Sequence, residues 1–151
     1  MPRYIAIEGP IGSGKTTLAK NLASALDYPS LLEPDLENPF LEKFYTQKSS
    51  ELALPTQLFF LLHRIRQVSE IPTHDLLGPT LITDFLMEKD RIFAELNLNT
   101  EELKLYDQIS KSLEIQSPSP DLVLYLQASV PTLQKRIQLR GFDFEQDIQD
   151  N

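Results

Sequence analysis

Cysteine is absent from the 151 residues, so neither a disulfide nor a thiolate metal site can form. Positive charge is scarce: 14 Lys and Arg stand against 22 Asp and Glu, for a net charge of −8. A protein that neutralises a nucleic-acid backbone presents a basic face, so no nucleic-acid partner is expected. No apolar run reaches the length of a membrane span, and the N-terminus enters an apolar strand pattern at once, without a leader. A cytoplasmic protein with no membrane partner is the expectation. Glycine is also sparse, at five residues, yet three of them fall together at Gly9, Gly12 and Gly14.

Those three glycines belong to the most informative stretch. An apolar segment, Arg3–Glu8, runs into Gly9-Pro10-Ile11-Gly12-Ser13-Gly14-Lys15-Thr16-Thr17 and on into an amphipathic helix over Lys15–Leu26. Glycines let backbone N–H groups close around polyanionic oxygens, a lysine at position 15 reaches toward β- and γ-phosphates, and the Thr16 hydroxyl is placed to ligate Mg²⁺. The following helix adds the positive end of its dipole. A glycine turn that merely ends a strand is the plain alternative, but the complete pattern in this context is rare by chance. A nucleoside triphosphate with Mg²⁺ is the expected ligand of residues 9–17.

The length suits one domain with a sizeable core, so a single domain over residues 1–151 is expected. Apolar runs ending in acidic or turn residues alternate with helical periodicity, which is the pattern of an α/β domain with a parallel sheet. Strands are expected near Arg3–Glu8, Ser30–Glu33, Thr80–Asp84 and Asp121–Gln127. The Lys15–Leu26 helix should present Leu18, Leu22, Ala25 and Leu26 as its apolar face. A longer helix is expected from Ser50 to Ser69, with Pro55 near its start where proline costs least. A third is expected from a cap at Thr100-Glu101-Glu102 to Leu113. The proline-rich stretch 116–120 reads as a stiff connector rather than a domain linker.

Ligands of open α/β sheets bind beyond the carboxyl ends of the strands, which draws attention to Glu8, Glu33 and Asp84. Each can be a solvated strand terminus, but two carboxylates beside a phosphate loop suit a general base, Glu33, and a metal-side carboxylate, Asp84. On the long helix, Gln57 and Arg64 are one heptad apart and share a face. The residues leave two readings open: a solvent-facing polar stripe, or an amide and a planar fork aimed at the edge of a nucleobase. Arg136 and Arg140 read, by themselves, as an ordinary basic helix end. His63 and His74 have no visible catalytic or metal partners.

Taken in order, several short segments resemble the deoxynucleoside kinases, especially the bacterial deoxyadenosine and deoxyguanosine kinase-like branch. They are Ile5–Gly12, Glu33-Pro34, Asn38–Leu41 with Phe44-Tyr45, Gln57 with Arg64, Asp84, Asp90 with Ile92–Ala94, and Arg136–Gly141 followed by Glu145-Gln146. The resemblance covers nearly the whole chain. It implies a nucleoside-kinase-like parallel sheet flanked by helices, with ATP·Mg²⁺ as donor and the 5′-hydroxyl of a deoxynucleoside, purine favoured, as acceptor in nucleotide salvage. By the same resemblance Glu33 is the base and Gln57 pairs with the nucleobase edge. Arg64 and Asp90 form a second base-reading pair, Phe93 stacks, and Tyr45 with Glu145 holds the sugar 3′-hydroxyl. Lys15, Arg136 and Arg140 supply cations, the two arginines from a lid over the phosphates. A homodimer through helices is a further implication.

Three features depart from that pattern. Asp84 is followed by Phe85 where the family has an arginine, Phe142 stands where the lid pattern places its last arginine, and the family continues past the lid through another helix and a fifth strand. The chain is therefore expected to be C-terminally incomplete, to lack the fifth strand, and to expose the apolar edge of the fourth. Poor solubility, weak ATP affinity and little turnover follow as expectations. Alternative readings are a catalytically weak or inactive nucleotide-binding relative, and a nucleoside monophosphate kinase.

Overall fold

The computed structural model of the chain describes residues 3–34, 38–47, 50–71, 78–114 and 117–140. In chain order the elements are β1 (Tyr4–Glu8), α1 (Lys15–Leu26), β2 (Ser30–Leu31), α2 (Leu41–Gln47), α3 (Ala53–Ser69), β3 (Leu81–Thr83), α4 (Glu88–Asn97), α5 (Thr100–Ser112), β4 (Leu122–Tyr125) and α6 (Val130–Arg140). A 3₁₀ turn at Ser50–Leu52 leads into α3. These elements form two compact units. The first holds residues 3–34, 78–86 and 119–140, and the second holds 38–47, 50–71, 87–114 and 117–118.

The first unit is built on a parallel sheet in the order β2-β3-β1-β4. β1 is interior and β4 lies beside it. Its core gathers Ile5, Ile7 and Ile82 from the strands against Ala19 and Ala23 of α1, with Leu18, Leu22, Leu124 and Leu126 packed around them. The apolar face of α1 is thus rotated from the expected one: Ala25 and Leu26 are exposed, and the small Ala19 and Ala23 allow the helix to lie close on the sheet. Among the described residues β4 pairs on one side alone, and Leu122, Val123 and Tyr125 are exposed.

All four strands are shorter than the sequence pattern suggests, and the hydrogen bonds explain why. β2 stops at Leu31 because the Glu33 N–H donates to the Asp84 carboxylate and not to a strand carbonyl. Glu33 and Asp84 therefore sit just past their strands. At the other end, the Asp121 carboxylate accepts from the N–H groups of Arg3 and Tyr4, at 2.7 and 2.9 Å. That side chain closes the start of β1 before β4 begins.

The second unit is helical. Ala53 and Leu61 of α3, Ala94 of α4, Leu98 at the end of α4 and Tyr106 of α5 form its core, surrounded by Phe44, Leu54, Leu58, Ile65 and Leu103. Pro55 falls in the first turn of α3, where its missing N–H has no intrahelical partner to lose. The cap of α5 is Asn99, one residue before the expected site. Its Oδ1 accepts from the N–H groups of Glu101 and Glu102, while Glu102 accepts from the Asn99 N–H. This reciprocal arrangement is a capping box. Among the described residues no helix is long and apolar enough to cross a membrane.

Candidate active site

In the first unit the loop between β1 and α1 closes tightly. A Cβ on Gly9 would lie 2.6 Å from the Leu126 carbonyl oxygen, so that position admits only glycine beside the end of β4. Gly14, at φ +97°, turns the chain into α1 through a backbone conformation that L side chains rarely adopt. The Ser13 N–H donates to the Pro10 carbonyl at 3.1 Å, which completes the turn.

The cations expected at this loop rest on its own carbonyls. Lys15 Nζ donates to Gly9 O at 2.9 Å and to Pro10 O at 3.1 Å. Arg136 of α6 donates through Nη1 to Ser13 O at 3.1 Å. Backbone carbonyls carry only partial charge, so a polyphosphate competes well for both side chains. Arg140 is the last residue of α6 and is exposed.

Asp84, almost fully buried, joins two other expected site residues. Its Oδ2 accepts from the Thr16 hydroxyl at 2.5 Å and its Oδ1 from the Glu33 N–H at 2.6 Å. Hard oxygen donors from one hydroxyl and one carboxylate fit Mg²⁺, which binds through one or two protein groups and completes its shell with water and phosphate. Glu8 stays on its own strand end, its Oε2 accepting the Gly9 N–H at 2.9 Å. Phe85, where the resemblance implies an arginine, is fully buried, so no cation stands at that position.

In the second unit the solvent-stripe reading of α3 is corrected, because Gln57 and Arg64 are 5% and 3% exposed. Arg64 Nε lies 3.5 Å from Oδ2 of the equally buried Asp90 on α4. Burial first, and then the negative charge of Asp90, pushes the Tyr106 hydroxyl well above its ordinary value. Tyr45 is half-buried on α2, its ring edge-on to Phe44 at 5.3 Å. Phe93 is exposed, with Lys89 Nζ 5.8 Å from its ring centre. His63 lies beside Phe59, ring centres 4.4 Å apart, as an ordinary helix-side residue. Glu145, Phe142 and His74 lie outside the described residues.

One polar residue of this cluster escapes the sequence reading. Gln67, 8% exposed, accepts a hydrogen bond from Arg64 Nη1 at 3.2 Å through its Oε1. Its position three residues after Arg64 was the available signal, since such residues are neighbours on a helix surface.

A strand, glycine-rich loop and helix beside a parallel sheet, with a lysine and a threonine at the loop's end, define a P-loop nucleotide-binding protein of the kinase type. The comparisons narrow the class. The family model described as deoxynucleoside kinase matches residues 5–151. The chain is 41% identical over 147 residues to the deoxyguanosine kinase of Bacillus subtilis, covering 97% of this chain and 70% of that protein. It is 28% identical to the deoxyadenosine kinase of Lactobacillus acidophilus, again across 97% of this chain and 70% of the relative. A solved structure of deoxyadenosine kinase from M. mycoides with bound dATP superposes with a TM-score of 0.78 at 28% identity, covering 97% of this chain and 76% of that one. The chain belongs to the deoxynucleoside kinase family, whose members are transferases.

Proposed function

We propose that the chain transfers the γ-phosphoryl group of ATP to the 5′-hydroxyl of a deoxynucleoside, purines favoured, and releases the 5′-monophosphate and ADP. The observation that carries this reading is the Thr16–Asp84–Glu33 chain of contacts beside the phosphate loop. The carboxylate of Glu33 takes the hydroxyl proton as the sugar oxygen attacks phosphorus and the bond to the β-phosphate oxygen breaks. Lys15, Arg136 and Arg140 neutralise charge on the transferring group, and the backbone N–H groups of residues 9–17 cradle the phosphates. Thr16 and Asp84 would hold Mg²⁺, which supplies charge neutralisation across the β- and γ-phosphates. Gln57, Arg64 and Asp90 read the base, Phe93 stacks, and Tyr45 with Glu145 holds the sugar. We read the two units as parts of a single kinase domain that acts in the cytoplasm.

A second reading, a nucleotide-binding relative with slow turnover, is favoured by the buried Phe85. One arginine finger is worth about 10³ to 10⁵ in rate in related phosphoryl transfer. A turnover assay of the four deoxynucleosides with ATP and Mg²⁺, alongside calorimetric titration, separates the two. Monophosphate formation that drops about 10² or more in Glu33→Gln while nucleoside binding persists supports the kinase. Binding of both ligands without turnover supports the second reading, and binding of neither defeats both.

A further inference from the structure

Gln67 is a buried polar residue of the second unit that no expected role absorbs. A glutamine offers one acceptor and two donors on a single amide. Here the Oε1 acceptor is consumed by Arg64 Nη1. The assignment of oxygen and nitrogen is fixed by that contact, since the reverse orientation would set a donor against a guanidinium that only donates. The Nε2 group is buried and has no hydrogen-bond partner among the described residues. Buried donors in native proteins are nearly always satisfied, so an orphan beside a ligand-reading residue points to an acceptor that arrives from outside.

We propose that Gln67 is a specificity-determining residue that makes this end of the base-reading cluster select a 6-oxopurine. The inference rests on the kinase reading above. Arginine carries no acceptor, and Arg64 masks the only acceptor of Gln67, so on the Nη1 side of Arg64 the two present donors alone, while the Asp90 carboxylate faces Arg64 through Nε. Guanine offers two adjacent acceptors, N7 and O6, along one edge, whereas adenine pairs its N7 acceptor with an N6 amino donor. A donor-only edge matches the first and sets donor against donor for the second. Gln67 thus acts twice: it positions Arg64 through Oε1, and its Nε2 is satisfied by the oxo-substituted base.

The test is calorimetric titration of the 151-residue chain with deoxyguanosine and deoxyadenosine, repeated on Gln67→Glu and Gln67→Leu. The wild-type chain should bind deoxyguanosine more tightly. Gln67→Glu keeps an acceptor for Arg64 but replaces the orphan donor with an acceptor. It should weaken deoxyguanosine about ten- to hundredfold while deoxyadenosine holds or tightens. Gln67→Leu, which adds no buried charge, should bring the affinity ratio toward one. Deoxyinosine, with the 6-oxo group but no 2-amino group, should behave as deoxyguanosine on the wild-type chain, so the proposal does not depend on either variant folding. A wild-type preference for deoxyadenosine, tight exclusion of deoxyinosine, or a wild-type affinity ratio in the folded variants overturns the assignment to Gln67. Failure of the wild-type chain to bind any deoxynucleoside overturns the kinase reading itself.

Discussion

Glu33 is tied to Asp84 through its backbone: the Glu33 N–H donates to Asp84 Oδ1 at 2.6 Å, and the other carboxylate oxygen takes the Thr16 hydroxyl. One side chain therefore spans the phosphate loop and the segment that carries the proposed base. Asp84→Asn retains an acceptor for the Glu33 N–H and should cost little stability. Asp84→Ala leaves that N–H without its partner and should cost about 1–3 kcal/mol. Urea unfolding of the two variants checks this, and an equal loss in both would remove the positioning role of Asp84.

Lys15 bridges two carbonyls of its own loop, Gly9 and Pro10. Charge-assisted contact with phosphate is stronger than contact with neutral carbonyls, so ATP should draw the ammonium away from them. Lys15→Ala should weaken ATP binding by about tenfold to a hundredfold and leave the fold intact, because the lost bonds are local. Calorimetric titration with ATP and Mg²⁺ measures the change. Wild-type affinity in a folded variant would defeat the assignment of residues 9–17 as a nucleotide site.

The phosphate loop and α1 were legible because their signals are local: glycines, a lysine at a fixed offset and a helical period. The order of strands in the sheet was not legible in local pattern, since parallel pairing is set by contacts far apart in sequence. Strand lengths were not legible, because β2 ends where the Glu33 N–H finds a side chain instead of a ladder carbonyl. Helix α4 escaped for a different reason. Its apolar Ile92, Phe93 and Leu96 point outward, while its buried positions are Asp90 and Ala94, so no inward apolar stripe marks it. Gln67 escaped because a polar residue near a helix end ordinarily faces water; nothing in its identity announces that it is buried against Arg64.

Arg64 and Asp90 are both buried and face one another at 3.5 Å, so removing Arg64 takes a compensating charge from a buried carboxylate. Arg64→Ala should destabilise the chain by about 3–5 kcal/mol. Replacing both with leucine should recover much of that loss while abolishing any preference among bases. Thermal and denaturant unfolding of the single and double variants form the check. A single variant as stable as the wild type would mean that Asp90 is neutral in the folded chain.

Asp121 lies at the opposite end of the sheet and ties β4 to β1 through one carboxylate oxygen. The N–H groups of Tyr4 and Arg3, in that order of effect, hold its carboxyl below the ordinary value. A depressed folded value means that the carboxylate's contribution is fully present above the unfolded value of about 3.9 and disappears as the pH falls through the folded value. Asp121→Asn keeps the side-chain size and one acceptor but cannot titrate. The stability difference between wild type and variant should therefore stay constant from neutral pH down to about pH 5 and narrow progressively below about pH 4. Melting temperatures of both proteins, measured across that range at fixed ionic strength, give the result. A difference that is unchanged down to pH 2, or that narrows already near neutrality, would show that this carboxylate does not hold the strand ends together.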